Sequence, residues 1–182
     1  MKQPVVAISL LTLFGAATLP AATLAGVTLP DSSSAAGRAL VLNGIGLRSR
    51  FSFKVYVAGL YLPQKTSDGA AIVTAEVPKQ IVLHFVRDVD DKTIQEAIAG
   101  GFDANAQTAL KSQIGQFTSG LESFKVGDEM TVTYVPGTGT ILNVKGKDKV
   151  TIPGGAFAQA LFGIWLGPKP PSADLKKGLL GG

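Results

Sequence analysis

The sequence contains no cysteine among its 182 residues, and its single histidine is His84. The absence of cysteine excludes disulfide bridges, cysteine-ligated zinc, a thiol nucleophile and lipidation of an N-terminal cysteine. One histidine excludes metal motifs that need a histidine pair, and it leaves little basis for a Ser-His-Asp triad. Charged residues are also scarce, at 16% of the chain. From these absences we expect neither a metal site nor a cofactor.

Other functional motifs are also missing. The formal net charge is only +4, and no basic run or aromatic-basic stripe accompanies it, so we expect no nucleic-acid partner. There is no phosphate loop, and Gly44-Ile45-Gly46 lacks the third glycine of a dinucleotide-binding motif. Asp88, Asp90 and Asp91 lack the glycine and glutamate of a calcium loop, so we interpret them as acids at a helix start. His84 lies on a predicted strand and is expected to be a hydrogen-bonded structural residue.

The N-terminus is typical of a secretory signal peptide. Lys2 is the only charged residue before Asp31, and an apolar stretch over 5–19 is followed by small residues up to Ala25. We predict a signal peptide over residues 1–25, cleaved after Ala25, and one domain over 26–182. A membrane-spanning helix is the alternative, but the apolar run is short for a bilayer and Pro20 interrupts it. The mature chain is therefore expected to be periplasmic or secreted, with no membrane span.

The rest of the chain predicts separate groups of strands and helices. Alternating apolar and polar residues, bounded by turn residues, predict strands at 38–45, 51–62, 79–86, 129–135, 140–144 and 149–152. Helices are predicted at 67–74 with Ser67 as the N-cap, at 93–99 with a break at Gly100-Gly101, along an apolar stripe from Leu110 to Phe124, at 156–166, and after a Ser172 cap. This order predicts an α+β fold with a mainly antiparallel sheet.

Several segments together resemble the chalcone isomerase superfamily, and in particular a bacterial, exported chalcone-isomerase-like branch. They are the stretch 42–48 (LNGIGLR), 53–62 (FKVYVAGLYL), 125–128 (KVGD), 136–140 (PGTGT), 152–155 (IPGG), 162–167 (FGIWLG) and 179–181 (LLG). They cover the predicted mature chain in the family's order. The resemblance implies an open-faced β-sandwich, in which a large antiparallel sheet carries a layer of helices with a ligand cleft between them.

The resemblance also implies which residues could serve the cleft. Arg48 matches the family's arginine, which holds an oxyanion in the plant enzymes and a carboxylate in the fatty-acid-binding members. Tyr56 stands where the enzymes have a threonine, and it keeps a hydroxyl group. The family's active-site tyrosine and asparagine have no counterpart in residues 90–101, and Ile164-Trp165 replaces the late pair that includes a hydroxyl residue. Trp165 is interpreted as a core residue rather than a ligand wall.

Arg48 and Tyr56 can share a site only if the chain reverses between them. On one straight strand they would lie roughly 26 Å apart, because each residue advances a strand by about 3.3 Å. We therefore predict a hairpin turn near Phe51-Ser52-Phe53, although neither glycine nor asparagine is present to favour it. Arg48 could equally be a solvated arginine, since Arg50 and Lys54 lie nearby.

Three classes of function remain open. The first is a non-catalytic binding protein for a small amphipathic acid such as a fatty acid, held in a cleft by Arg48 and Tyr56. The second is an isomerase (intramolecular lyase) of the chalcone isomerase type, acting on an unknown enone or phenolic substrate. The third is a structural domain whose protein partner the sequence does not identify. Because Arg48 alone survives from the family's catalytic set, we favour binding.

Overall fold

The computed structural model of the protein describes residues 21–104 and 108–182. It contains nine strands and five helices within those ranges. The strands are β1 (Ala21–Leu24), β2 (Val27–Pro30), β3 (Ser32–Ala35), β4 (Arg38–Arg50), β5 (Phe53–Leu62), β6 (Lys79–Phe85), β7 (Glu129–Val135), β8 (Gly139–Val144) and β9 (Lys147–Ile152). The helices are α1 (Gly69–Thr74), α2 (Asp91–Ala104), α3 (Lys111–Ser119), α4 (Gly155–Leu166) and α5 (Ala173–Leu179). The predicted α+β class is confirmed.

Strands β3 to β9 form one antiparallel sheet in which every strand pairs with its neighbour in sequence. Short turns that contain glycine join β3 to β4, β7 to β8 and β8 to β9, whereas helices lie in the connections from β5 to β6 and from β6 to β7. The main core lies between one face of this sheet and the helices. Helix α4 is apolar around nearly its whole circumference, which is typical of a buried helix, and its residues from Ala160 to Leu166 are all buried.

The other face of the sheet is partly covered by a small hairpin of β1 and β2. Val27 and Leu29 of this hairpin pack against Val57 of β5. The predicted cleavage bond, between Ala25 and Gly26, lies in the hairpin turn, where both residues have positive φ angles of 52° and 84°. Cleavage at this bond would separate β1 from β2. The remainder of the predicted signal peptide, residues 1–20, lies outside the described residues, and the signal peptide stays a prediction.

Glycines allow the C-terminal helix α5 to approach β4 closely. An added Cβ at Gly44 would lie 2.2 Å from the Gly178 carbonyl oxygen, and one at Gly46 would lie 2.5 Å from the Leu175 carbonyl oxygen. Asn43, the extra residue at a bulge in β4, also ties β4 to this helix, because its Nδ2 donates to the Leu179 carbonyl at 2.8 Å. The Gly44-x-Gly46 pattern therefore serves helix packing.

Lys79 begins β6 with its ammonium group fully buried. Its Nζ donates to the carbonyl oxygens of Ile72, Val73 and Ala75, at 2.8 to 2.9 Å, where helix α1 ends. These carbonyls have no partner within the helix, so the ammonium satisfies them and faces the negative end of the helix dipole. Burial nevertheless lowers the pKa of Lys79 to about 8, against the opposing effect of the Glu76 carboxylate. Lys79 thus anchors α1 to the sheet.

Three local predictions are wrong. The N-cap of α1 is Asp68 rather than Ser67, because Asp68 Oδ1 accepts from the Ala71 N–H at 3.0 Å. Helix α2 continues through Gly100 and Gly101, since its packing against α4 outweighs the low helix propensity of glycine. Helix α3 ends at Ser119, so two members of the predicted stripe, Leu121 and Phe124, lie beyond it but are still buried in the core.

His84, Asp90 and Asp91 follow their predictions, whereas Asp88, also predicted as a helix-start acid, accepts instead from Lys125 Nζ and the Val126 N–H. His84 lies on β6, and its Nδ1 is 3.0 Å from Glu129 Oε1 on the neighbouring strand. Asp90 caps helix α2: its carboxylate accepts from both the backbone N–H and the hydroxyl of Thr93, at 2.8 and 2.7 Å. Asp91 lies in the first turn of the same helix, next to the positive end of the dipole.

Candidate functional site

The β4–β5 hairpin brings the two predicted site residues together. The chain reverses at Phe51 and Ser52, as predicted, and both residues have positive φ angles, of 48° and 66°. Arg48 and Tyr56 are consequently direct partners across the two strands. Opposed residues on an antiparallel pair lie close enough for their side chains to interact. The geometric condition for a shared site is therefore met.

A bulge next to this pair changes which residues of β5 face the helices. Arg48 pairs with Tyr56 but Ser49 pairs with Lys54, which leaves Val55 as the extra residue on β5. Bulges re-aim side chains and are frequent beside functional sites. Here Val55 and Tyr56, although consecutive, both line the same cleft.

This cleft has a volume of about 600 Å³ and lies between the β4–β5 hairpin, β6 and helices α2 and α4. Its walls are mainly apolar, and Val55, Leu83, Ile94, Ile98 and Ile164 contribute to them. Ile94 and Ile98 are four residues apart on α2, so they lie on the same face of the helix. Both the volume and the lining are typical of a site for a small organic ligand.

Gly101 sets how closely α2 approaches α4 beside the cleft. An added Cβ at this position would lie 2.7 Å from Cγ2 of Ile164. The glycine predicted to end the helix instead lets two cleft walls pack together. Sequence reasoning missed the contribution of α2 to the cleft, because the spacing of Ile94 and Ile98 indicates only that one face of the helix is apolar.

Tyr56 is buried at the inner end of the cleft. Trp165 Nε1 donates a hydrogen bond to the Tyr56 hydroxyl oxygen at 3.2 Å, and the ring of Phe85 packs edge-on against Tyr56. Burial raises the pKa of Tyr56 to about 12, although the Trp165 hydrogen bond and the Arg48 charge oppose the shift. The phenol is thus neutral at physiological pH and can donate its proton in a hydrogen bond. Trp165 is 1% exposed, as expected for a core residue, and it also contributes to the cleft wall.

Arg48 provides a half-buried guanidinium group on the cleft wall. Its Nη1 donates to the Ser49 carbonyl oxygen at 2.7 Å, which fixes the orientation of the group. A guanidinium carries five N–H donors and matches the two oxygens of a carboxylate. None of the carboxylates within residues 21–104 and 108–182 forms an ion pair with Arg48.

Charged side chains at the cleft give it a positive balance. Arg50, Arg87 and Lys169 line it together with Arg48, against two acids. Both acids are bound to other groups: Asp90 caps α2, and Asp88 pairs with Lys125 at 2.8 Å. The hydrogen bond from Lys125 holds the pKa of Asp88 below its ordinary value. The cleft therefore favours an anion with an apolar body. Over the described part of the chain, no group of three acidic or histidine side chains is arranged to hold a metal ion.

The three tyrosines of the chain are predicted to resist ionisation. Burial is the main cause that raises the pKa of Tyr56, Tyr61 and Tyr134 to about 12, from about 10 in an unfolded chain. Because the folded state holds these protons more tightly, the free energy of unfolding should fall as pH rises from 10 to 12. An absorbance titration should show almost no tyrosinate at pH 10 in the native protein. In denaturant, all three tyrosines should ionise around pH 10. A tyrosine that ionises near pH 10 in the folded protein would contradict this prediction.

Comparisons with known proteins agree with the fold. The model of the family described as "chalcone isomerase-like" matches residues 21–181. No curated protein matches the sequence significantly. Among solved structures, the crystal structure of the fatty-acid binding protein AtFAP1 from Arabidopsis thaliana superimposes with a TM-score of 0.71. That alignment covers 88% of this chain and 96% of the plant protein, at 15% sequence identity. The likeness to AtFAP1 concerns the fold alone.

The predicted architecture is therefore confirmed: a large antiparallel sheet, a layer of helices, and a cleft between them. The family match spans nearly all of the described residues, from β1 to the end of α5. On this evidence the chain belongs to the chalcone isomerase-like family.

Proposed function

We propose that this protein binds a small amphipathic acid, such as a fatty acid, in the cleft between the sheet and α2. The observation that carries the proposal is an arginine without a carboxylate partner among the described residues, set in an otherwise apolar cleft of about 600 Å³. The carboxylate of the ligand would pair with Arg48, and the acyl chain would lie against Ile94 and Ile98. The structural similarity to AtFAP1, a fatty-acid binding protein, supports the same ligand class.

Tyr56 has a second role in this proposal. Its phenol is neutral and lies opposite Arg48 on the neighbouring strand, so it can donate a hydrogen bond to the second carboxylate oxygen. Two different donors, one charged and one neutral, would then fix the head of the ligand. Because a signal peptide is predicted, we also propose that the protein is exported to the periplasm or the medium. We further propose that it belongs to a bacterial branch of the family.

The proposal predicts that affinity depends on both ends of the ligand. Titration calorimetry with saturated fatty acids of increasing length should show tighter binding with each added methylene, by up to about 0.8 kcal/mol, until the cleft is full. The methyl ester of the best acid should bind roughly 10- to 150-fold more weakly, because a hydrogen-bonded charged group contributes about 1.5–3 kcal/mol. Native mass spectrometry of the mildly purified protein should detect a bound acid.

Two outcomes would count against this function. Equal affinity for the acid and its ester would show that no cation anchors the carboxylate. Cyclisation of a chalcone by the wild-type protein above the spontaneous rate would instead favour the isomerase, the second candidate. That candidate is retained because the Arg48 guanidinium and the Tyr56 hydroxyl face one cleft, and such donors could stabilise a developing oxyanion.

A further inference from the structure

The tip of the β4–β5 hairpin exposes two aromatic rings to solvent. Phe51 is 83% exposed and Phe53 is 58% exposed. Large apolar side chains that are exposed together, rather than singly, mark a surface that contacts another apolar phase. We call the five residues Arg50, Phe51, Ser52, Phe53 and Lys54 the hairpin tip.

The turn that carries Phe51 has a strained backbone conformation. Both central residues, Phe51 and Ser52, have positive φ angles, a conformation that glycine and asparagine adopt readily and phenylalanine does not. An Asn-Gly turn would close the same hairpin with less strain. Strain of this kind persists where the surrounding structure or a function maintains it. The exposed ring at the tip therefore suggests a function that depends on it.

Two guanidinium groups lie on these rings. Arg50 stacks over Phe51, with its Cζ 5.4 Å from the ring centre, and Arg87 stacks over Phe53 at 4.4 Å. Cations packed on aromatic rings combine an apolar surface with positive charge at one place. This combination is the one found in protein segments that lie in the interface of a bilayer containing anionic lipids.

The acids near the tip are held by other groups. Asp88 pairs with Lys125 and accepts from the Val126 N–H, at 2.8 and 3.1 Å. Asp90 accepts from Thr93 at the start of α2. Asp90 keeps its negative charge, but Arg50, Lys54 and Arg87 outnumber it around the tip. The local electrostatic field therefore favours an anionic surface over a neutral one.

We propose that the hairpin tip docks the protein onto an anionic lipid bilayer, with Phe51 and Phe53 in the interface and Arg50 and Arg87 against the lipid headgroups. The same side chains line the mouth of the cleft, so docking would place the cleft opening against the lipid. If the ligand is a fatty acid, it would then pass between bilayer and cleft without crossing water. This last step rests on the proposed function, whereas the docking itself does not.

The size of the patch favours a lipid surface over a protein partner. Each phenylalanine can bury at most about 150–250 Å², so two rings cover well below the roughly 800 Å² per partner of a stable protein interface. A bilayer needs no complementary shape, and it accepts two rings on a narrow tip. None of the described helices is long and apolar enough to span a membrane.

Vesicle co-sedimentation of the full chain tests the proposal without any fatty acid. We expect binding to phosphatidylcholine vesicles that contain phosphatidylglycerol, weaker binding as salt is raised, and much weaker binding to phosphatidylcholine alone. The variant F51S/F53S should lose at least roughly tenfold in affinity, because each ring is removed from the interface. The variant R50Q/R87Q should lose roughly 30-fold in affinity, because each cation near an anionic surface contributes about fivefold.

A matched control separates a local site from the overall positive charge. The variant K111Q/K147Q removes the same two charges from α3 and β9, and β9 is the edge strand farthest from β4 and its hairpin. It should bind vesicles like the wild type. In a second measurement, the F51W variant should show a blue shift of the added tryptophan emission on binding, which reports that the tip has entered the apolar interface.

The proposal is overturned if wild-type protein ignores anionic vesicles, or if F51S/F53S binds them as tightly as the wild type. It is also overturned if K111Q/K147Q weakens binding as much as R50Q/R87Q, since the attraction would then be nonspecific. Its failure is distinguishable from failure of the proposed function, because fatty-acid affinity in detergent-free solution is measured without vesicles. A protein that binds the acid but not the bilayer keeps the function and loses the docking site.

Discussion

Replacing Arg48 with alanine is expected to weaken fatty-acid binding roughly 10- to 150-fold while leaving the thermal stability nearly unchanged. The guanidinium would form a charge-assisted hydrogen-bonded pair with the ligand carboxylate, and such a contact contributes about 1.5–3 kcal/mol. The side chain is half-exposed and makes its hydrogen bond to the neighbouring Ser49 carbonyl, so the fold depends little on it. Calorimetric titration and thermal unfolding of the same samples measure the two effects.

The decisive measurement is the difference in binding affinity between the acid and its methyl ester. If Arg48 binds the carboxylate, the acid should lose its advantage over the ester in R48A, because the two changes remove the same interaction. Arg48→Lys should recover part of the advantage, since the charge returns without the paired N–H geometry. Arg38→Ala is the matched control: it removes an arginine from the opposite end of the same strand. If R48A still prefers the acid over the ester as strongly as the wild type does, another cation must bind the ligand carboxylate.

Replacing Gly44 with alanine is expected to destabilise the protein strongly, although the substitution adds only one methyl group. The new Cβ would lie 2.2 Å from the Gly178 carbonyl oxygen and 2.8 Å from the Gly181 nitrogen, both of which are backbone atoms. Helix α5 would have to move away from β4. We expect the free energy of unfolding of G44A to fall by about 3 kcal/mol or more, and its midpoint temperature by about 6–12 °C.

Gly115 provides the control for this prediction. It lies inside helix α3, where an added Cβ has no neighbour within 4 Å. Gly115→Ala should therefore stabilise the protein by about 0.5–1 kcal/mol, the usual gain for this change in a helix. Denaturant unfolding of the two variants beside the wild type gives both values. Equal stability of G44A and the wild type would show that α5 does not need to lie so close to β4.

The sheet could be predicted from the sequence because its signals are local. Alternating side chains mark the strands β5 and β7, and the glycine turns between β7, β8 and β9 require neighbouring antiparallel pairs. The hairpin that joins β4 and β5 could be inferred only from the need to bring Arg48 near Tyr56. Its turn residues have no local preference for that conformation, and tertiary context imposes it.

The errors arose where contacts distant in sequence decide the outcome. Gly101 would normally end a helix, but the side chain of Ile164 fills the space beside it and the helix continues. The α2 face of the cleft was missed for the same reason, because periodicity shows that a face is apolar without showing what it lines. Lys79 shows the same limit of sequence patterns. Nothing in the pattern of its own strand indicates that its ammonium group binds the end of α1.

The close packing of α5 on β4 also determines when the domain can be completed during synthesis. Strand β4 is made early, but α5, which rests on Gly44 and Gly46, is made after all the other described helices and strands. Each β-hairpin can close as it emerges from the ribosome, since its partner is adjacent in sequence. The groove on β4 stays empty until α5 has left the ribosome. The domain therefore completes its packing only after every strand of the sheet has been made.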